Sequence, residues 1–282
     1  MTPKQSEFLL WLAKTGFLTN KHLKQLGLSK LSSSNHKITK DLLLNGFIGR
    51  IMVASGFGIG RKVVYFLAKK GADFIADMHG IPLEEIAYNS VKGGIHRNET
   101  GEEMAVIRTN FSHKEAYITA FIAFYQYIQC TDYVITNYKH YYQRTGDKGT
   151  TLRLNHKNFR PDGIWFMESI DQTAPKYVLV VEVHRHSDRK HIIRQLLQQV
   201  EALKQRSVQN RFGFEHPYLV LSVFCDENIK VMQGVLEELK QMPQWEYLEN
   251  YFFFSRLEDL KADFCNGLGY FGRIEKPFPK KI

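Results

Sequence analysis

The chain has 282 residues, 44% of them hydrophobic and 24% charged, with 38 Lys/Arg against 29 Asp/Glu for a formal charge of +9. That length gives room for roughly two domains with cores of their own, and the composition is that of an ordinary globular protein. No apolar run approaches a membrane span, the first residues carry no signal-peptide pattern, and Cys130, Cys225 and Cys265 include no Cys-x-x-Cys pair, which argues for reduced thiols in a cytoplasmic protein and against a structural zinc site.

The first hundred residues hold 14 Lys/Arg against 7 Asp/Glu, whereas residues 101–282 hold 24 against 22. A merely solubilising basic surface has no reason to favour one end; phosphate neutralisation does. Phe8, Leu9, Trp11 and Leu12 recur at helical spacing. Thr19 opens a second helix, Thr19–Leu26, that ends at Gly27. A third runs from about Ser32 to Asn45, with Ile38, Leu42 and Leu43 on its apolar face. Ser33, Ser34, Asn35, Lys37 and Lys40 fall largely elsewhere on that helix, and small hydroxyls, an amide and lysines suit a recognition helix in a major groove. Strands are expected at Phe47–Val53 and Lys62–Leu67, joined by a wing over 54–61, with Arg50, Arg61 and Lys62 available to phosphates. Gly56-Phe57-Gly58-Ile59-Gly60 leads into a strand, whereas a phosphate loop needs a helix N-terminus there, so it reads as a hairpin turn. Residues 1–90 are therefore expected to form a winged helix-turn-helix DNA-binding domain, with a small helical oligomerisation domain as the alternative.

Lys69–Ala76 and Pro82–Tyr88 look helical, and the polar, glycine-bearing stretch 91–110 is the expected linker. A long helix begins near Ser112, with Ala116, Ile118, Ala120, Phe121, Phe124 and Tyr125 on a broad apolar face. Tyr133–Thr136 and Tyr138–Tyr142 are β-prone, and strands Gly163–Met167 and Tyr177–Val183 flank the polar loop Glu168–Pro175. A helix His191–Lys204, a strand Tyr218–Phe224, a helix Asn228–Lys240 and a strand Tyr251–Phe254 complete the order. Residues 111–282 thus read as one mixed sheet flanked by helices, an α+β or α/β architecture.

Asp162 follows Pro161 at the entry of one strand, and Glu182 closes the next. If those strands pair as a hairpin, the entry of the first meets the exit of the second. Alternation then puts Glu182 and His184 on one face and Val183 on the other. Two carboxylates a few ångströms apart repel unless a cation lies between them. Mg²⁺ or Mn²⁺ prefers oxygen ligands, so Asp162, Glu182 and the main-chain carbonyl of Val183 form the expected metal set. His184 would stabilise charge as imidazolium or act as a general base, and Arg189 or Lys190 offers a cation from the following turn. The bland alternative is a pair of solvated strand ends. His184, His186 and His191 raise a histidine metal cluster, but no cysteine or distant histidine completes four ligands. Tyr138, Tyr141 and Tyr142 lie among Lys139, His140 and Arg144, a set that stacks splayed bases or simply lines the exposed side of a strand.

Pro161-Asp162 followed by Glu182-Val183-His184 resembles the PD-(D/E)xK nuclease motif, with histidine in the lysine position. Gln195 and Gln199 are similar to the helical glutamine that some members place beside the metal. Together with the wing, Ser112-His113, Arg160-Pro161-Asp162-Gly163 and Tyr251-Phe252-Phe253-Phe254-Ser255, the plan resembles the replication–relaxation family, which includes MobC-type plasmid mobilisation relaxases. Many members carry Glu-x-Asp and then a threonine; this chain has Glu182-Val183-His184 and then Ser187, one acid fewer. The resemblance implies a winged helix followed by a restriction-endonuclease-like domain that nicks double-stranded DNA at a transfer origin with Mg²⁺ or Mn²⁺. Catalysis is then expected from Asp162, Glu182, His184, Lys190 and Gln195. Single-stranded DNA and other relaxosome or coupling proteins are the further partners it implies. The same residues also suit a non-catalytic relaxosome accessory, replication initiator or repressor, or a restriction-type endonuclease cutting both strands.

Overall fold

Helix α1 (Pro3–Thr15) starts where Thr2 and Gln5 cap each other: the Gln5 N–H donates to the Thr2 hydroxyl at 3.3 Å, and Gln5 Oε1 accepts from the Thr2 N–H at 2.8 Å. It stops at Gly16, whose φ of 72° is a left-handed conformation that favours glycine. The computed structural model describes residues 1–30, 32–54, 61–86, 88, 95–97, 103–105, 111–142, 149–172, 175–185, 187–216, 218–225 and 229–269. Contacts divide the chain into one unit over Met1–Thr119 and another over Ala120–Ile282.

In the first unit α1 is followed by β1 (Leu18–Thr19), α2 (Asn20–Gln25), α3 (Ser32–Leu44), β2 (Ile48–Ala54), β3 (Arg61–Leu67) and α4 (Lys69–His79). The strands make an antiparallel sheet of order β1-β3-β2, with Arg50 opposite Tyr65 and Ile51 opposite Val64. Phe8, Leu9, Leu12, Leu18, Leu23, Val64, Leu67 and Ile75 are fully buried and form the core of this unit. Gly71 lets α4 press on the chain entering β2, because a Cβ there would stand 2.1 Å from the Phe47 carbonyl oxygen. The helix expected over Pro82–Tyr88 is only a short 3-10 turn, Leu83–Glu85. Within the expected linker, β4 (Ile95–Arg97) and β5 (Glu103–Ala105) pair antiparallel. The wing loop 55–60 and the remainder of 91–110 lie outside the described residues.

Helix α5 (Phe111–Ile128) runs across the division between the units. After it come β6 (Tyr133–His140), β7 (Leu152–Arg153), β8 (Asn158–Phe159), β9 (Gly163–Ser169), β10 (Tyr177–His184), α6 (Arg189–Lys204) and α7 (Ser207–Phe212). The chain continues through β11 (Leu219–Phe224), α8 (Ile229–Leu239), α9 (Trp245–Tyr251), β12 (Phe252–Arg256), α10 (Leu257–Ala262) and α11 (Phe264–Gly267). The main sheet is five-stranded, order β12-β11-β10-β9-β6. Strands β10, β11 and β12 run parallel, and β9 is antiparallel to both β10 and β6.

One face of this sheet presents Ile164, Val178, Val180, Val220, Phe252 and Phe254 to Ile192, Leu196 and Val200 of α6 and Val235 of α8. On the other face Trp165 stacks on Phe124 of α5 with ring centroids 4.7 Å apart. Burial on both faces explains why Tyr177–Val183 is apolar almost throughout. The result is a mixed α and β fold with a mixed sheet flanked by helices, as the sequence predicts for the later residues. Tyr133–Thr136 and Tyr138–Tyr142 belong largely to one strand, β6, whose pairing with β9 skips a residue between Ile135 and Asn137. No helix among the described residues is long and apolar enough to cross a membrane.

Candidate functional site

The β9–β10 register decides whether the two motif carboxylates meet. Val181 lies opposite Gly163, and the Asp162 N–H donates to the Val181 oxygen at 3.0 Å, so the ladder carries on to bring Asp162 beside Glu182. Pro161 is held from below by the Thr150 hydroxyl, which donates to its carbonyl. The Asp162 carbonyl accepts from the Tyr141 N–H at 3.0 Å, and its carboxylate Oδ2 accepts from the Val183 N–H at 2.8 Å. Asp162 is 8% exposed and Glu182 3%. Burial, with the Asp162 charge adding to it, pushes the Glu182 carboxyl well above the usual carboxylate range, against a lowering hydrogen bond from Gln199. The Tyr141 phenol is likewise pushed up, by burial first and by the Asp162 charge second.

The glutamine that reaches Glu182 is Gln199, whose Nε2 donates to Glu182 Oε1 at 3.0 Å. Gln195, the one expected in the catalytic set, is half-buried one turn earlier on α6. The Gln199 side-chain oxygen is fully buried and has no hydrogen-bond donor. His184 shares the Glu182 face, where its Nε2 is 2.7 Å from the Ser222 hydroxyl and its ring lies 4.8 Å from that of Phe224. Ser222 stands opposite Glu182 in the parallel β10–β11 ladder. Neither Ser222 nor Tyr141 was singled out by the motif, since parallel register and loop return are not written in residue spacing. Lys190 is exposed in the first turn of α6, which Asp188 caps by accepting from the His191 N–H at 3.1 Å.

Two carboxylates and an orphaned amide oxygen are an all-oxygen donor set, which matches the preference of Mg²⁺ or Mn²⁺ and not of a thiolate- or imidazole-seeking ion. A cation beside Glu182 would also relieve the repulsion that raises its carboxyl. No group of three or more His, Cys, Asp or Glu side chains is gathered as a metal site among the described residues. His186 of the histidine alternative lies outside them.

In the N-terminal unit Lys37 and Lys40 are exposed on α3 and Arg50 on β2. Asn35 is buried, 3% exposed. Lys62 is already engaged, its Nζ 2.6 Å from Glu115 Oε2. The Ser33, Ser34 and Arg61 side chains lie outside what the structure describes. Glu115 belongs to a second buried cluster that the sequence did not signal. The Thr19 N–H donates to His22 Nδ1 at 3.1 Å, and His22 Nε2 lies 3.3 Å from the Glu115 carbonyl and 3.2 Å from the Thr119 hydroxyl. Burial pushes the His22 pKa down to about 4. Burial alone would raise the Glu115 carboxyl, but the Lys62 hydrogen bond and charge, helped by His22 and Lys21, lower it overall.

Neither family models, curated proteins nor solved structures match this chain.

Proposed function

We propose that the protein binds DNA through residues 1–90 and nicks one strand with a divalent metal held by the later residues, as a relaxosome protein of a plasmid or mobile element. The observation that carries this reading is the pairing of β9 with β10. It sets two buried carboxylates side by side, an arrangement that is costly without a cation. The helices, hairpin and positive excess of the first hundred residues support a winged helix as the DNA-binding part.

Asp162, Glu182 and the Gln199 side-chain oxygen would hold Mg²⁺ or Mn²⁺, with the Val183 carbonyl as a further donor. When bound, such an ion supplies charge neutralisation at the scissile phosphate and a more acidic water. The protein's own groups do the rest. The Val183 N–H fixes the Asp162 carboxylate, and the Gln199 amide fixes one Glu182 oxygen. Ser222 orients the His184 ring as a proton-transfer or charge-stabilising group in the place where related nucleases carry lysine. Exposed Lys190, in the first turn of α6, would meet a phosphate backbone passing there.

Supercoiled plasmid incubated with Mn²⁺ tests this directly. Wild type is expected to yield open circles, and Asp162→Ala and Glu182→Ala to lose at least about 100-fold in nicking rate while still shifting DNA on a gel. Linear product would favour a restriction-type enzyme. Gel shifts without any nicking by wild type would reject the nickase and leave a DNA-binding accessory, initiator or repressor. Burial favours that second reading: Glu182 at 3% and Gln199 at 0% exposure offer little access to a phosphate.

A further inference from the structure

Strands β10 and β11 run parallel, with His184 opposite Phe224, and the helices that follow them, α6 and α8, pack on the same face of the sheet. Both helices therefore begin at the carboxyl edge of these strands, the edge at which Glu182 and His184 lie. Lys190 and Arg194 are exposed on α6, one turn apart. Arg189, also exposed, lies against α8: a Cβ built on Gly234 would stand 2.3 Å from its guanidinium carbon. Lys230, exposed in the first turn of α8, is one turn before Gly234 on the same side of that helix.

Among the described residues, no ion pair or side-chain hydrogen bond holds any of these four cations. Asp188, the acid beside them in sequence, caps α6 by accepting from the His191 N–H. The next acid along α6 is Glu201, which meets Lys157. Like charges one turn apart repel, and cations in the first turn of a helix oppose its dipole, so the grouping works against folding. Residues 101–282 as a whole are nearly balanced, 24 Lys/Arg against 22 Asp/Glu, so a general basic excess does not account for it. A polyanion does. Cations spread over two packed helices, whose axes lie about 8–10 Å apart, suit a row of phosphates better than a single one.

We propose that Arg189, Lys190, Arg194 and Lys230 form a second DNA-backbone surface, in the later unit, along the carboxyl edge of β10 and β11. It rests on the DNA-binding reading above but on neither the metal nor cleavage, and it adds to residues 1–90 a contact that the charge balance of the later residues conceals.

The test uses the full chain and fluorescence anisotropy on a labelled DNA duplex over a salt series, without divalent metal. The triple variant Lys190→Gln/Arg194→Gln/Lys230→Gln is expected to lower the slope of log affinity against log salt by about 3, one for each cation. Its thermal midpoint should stay level or rise, because repulsion is relieved. As a control, Lys157→Gln/Lys176→Gln/Lys261→Gln removes the same charge from ion pairs elsewhere in the unit and should leave the slope as it is. An equal loss in the control overturns the proposal, since net charge alone then explains the effect. So does a midpoint several degrees lower in the first variant, because the cations then serve the fold. An unchanged slope in that variant overturns this surface and leaves DNA binding by residues 1–90 standing, whereas a wild type that binds no duplex rejects the DNA-binding reading itself. Wild type that sediments with phosphatidylserine vesicles, when the first variant does not and keeps its DNA slope, assigns the surface to a membrane and overturns the proposal too.

Discussion

His22 shows how one side chain can set the acid limit of a unit. Its Nδ1 accepts from the Thr19 N–H, so the ring must stay neutral there, and burial pushes its pKa from the ordinary 6.5 down to about 4. The unfolded chain therefore binds a proton that the folded one refuses as pH falls from about 6.5 toward 4, and stability falls with it. Between pH 7 and pH 5 this one residue is expected to remove about 2 kcal/mol. Glu115, lowered overall by Lys62, adds a smaller loss only at more acid pH, as its carboxylate is protonated. Urea unfolding of the wild type at the two pH values checks this, with His22→Gln expected to flatten the difference. The cluster was invisible in the sequence because its members, Thr19, His22, Lys62, Glu115 and Thr119, are scattered along the chain. The Asp162–Glu182 meeting was legible, since it needs only two adjacent strands and a hairpin. What spacing did not disclose is that Gln199 and not Gln195 faces Glu182. Both lie on the same side of α6, one turn apart, but Gln199 is buried against Glu182 while Gln195 is half-buried.

At the scale of elements, the long apolar or amphipathic runs were readable, as was short α2 from its cap at Thr19 and stop at Gly27, while most other short pieces were not. Helices α1, α3, α5, α6 and α8 and strands β2, β3, β9, β10, β11 and β12 follow periodicity because each buries a face against a core. Two-residue strands such as β7 and β8, and helices of four to seven residues such as α9, α10 and α11, exist by tertiary packing and carry too few residues for a period to register. Pro82–Tyr88 failed as a helix for a related reason: only Leu83–Glu85 winds, and then as a tight 3-10 turn. The junction of β2 and α4 gives a sharper test. Alanine in place of Gly71 gains about 1 kcal/mol of helix propensity. The new Cβ, however, must displace a backbone oxygen, which a side-chain rotation cannot accommodate. The clash should win, leaving Gly71→Ala about 2 kcal/mol less stable in chemical denaturation. A neutral or stabilised variant would show that α4 slides freely over Phe47.

For the whole molecule, charge placement predicts behaviour that no single contact does. If the protein binds DNA as proposed, the excess over residues 1–100 predicts salt dependence at that end. Lys37→Ala and Lys40→Ala should each lower the slope of log affinity against log salt by about 1 on duplex DNA, whereas Lys62→Ala, which breaks an ion pair with Glu115, should act mainly on stability. Slopes unchanged in the α3 variants would move the DNA surface elsewhere. The skipped residue in β6 has its own consequence. This strand closes one side of the five-stranded sheet, with Val134 44% exposed, and an uninterrupted edge of that kind would be a template for strands of other molecules. The offset at Thr136 breaks the regular spacing of outward-pointing N–H and C=O groups. At high concentration, that offset is expected to hinder growth of the sheet into a fibre along this edge.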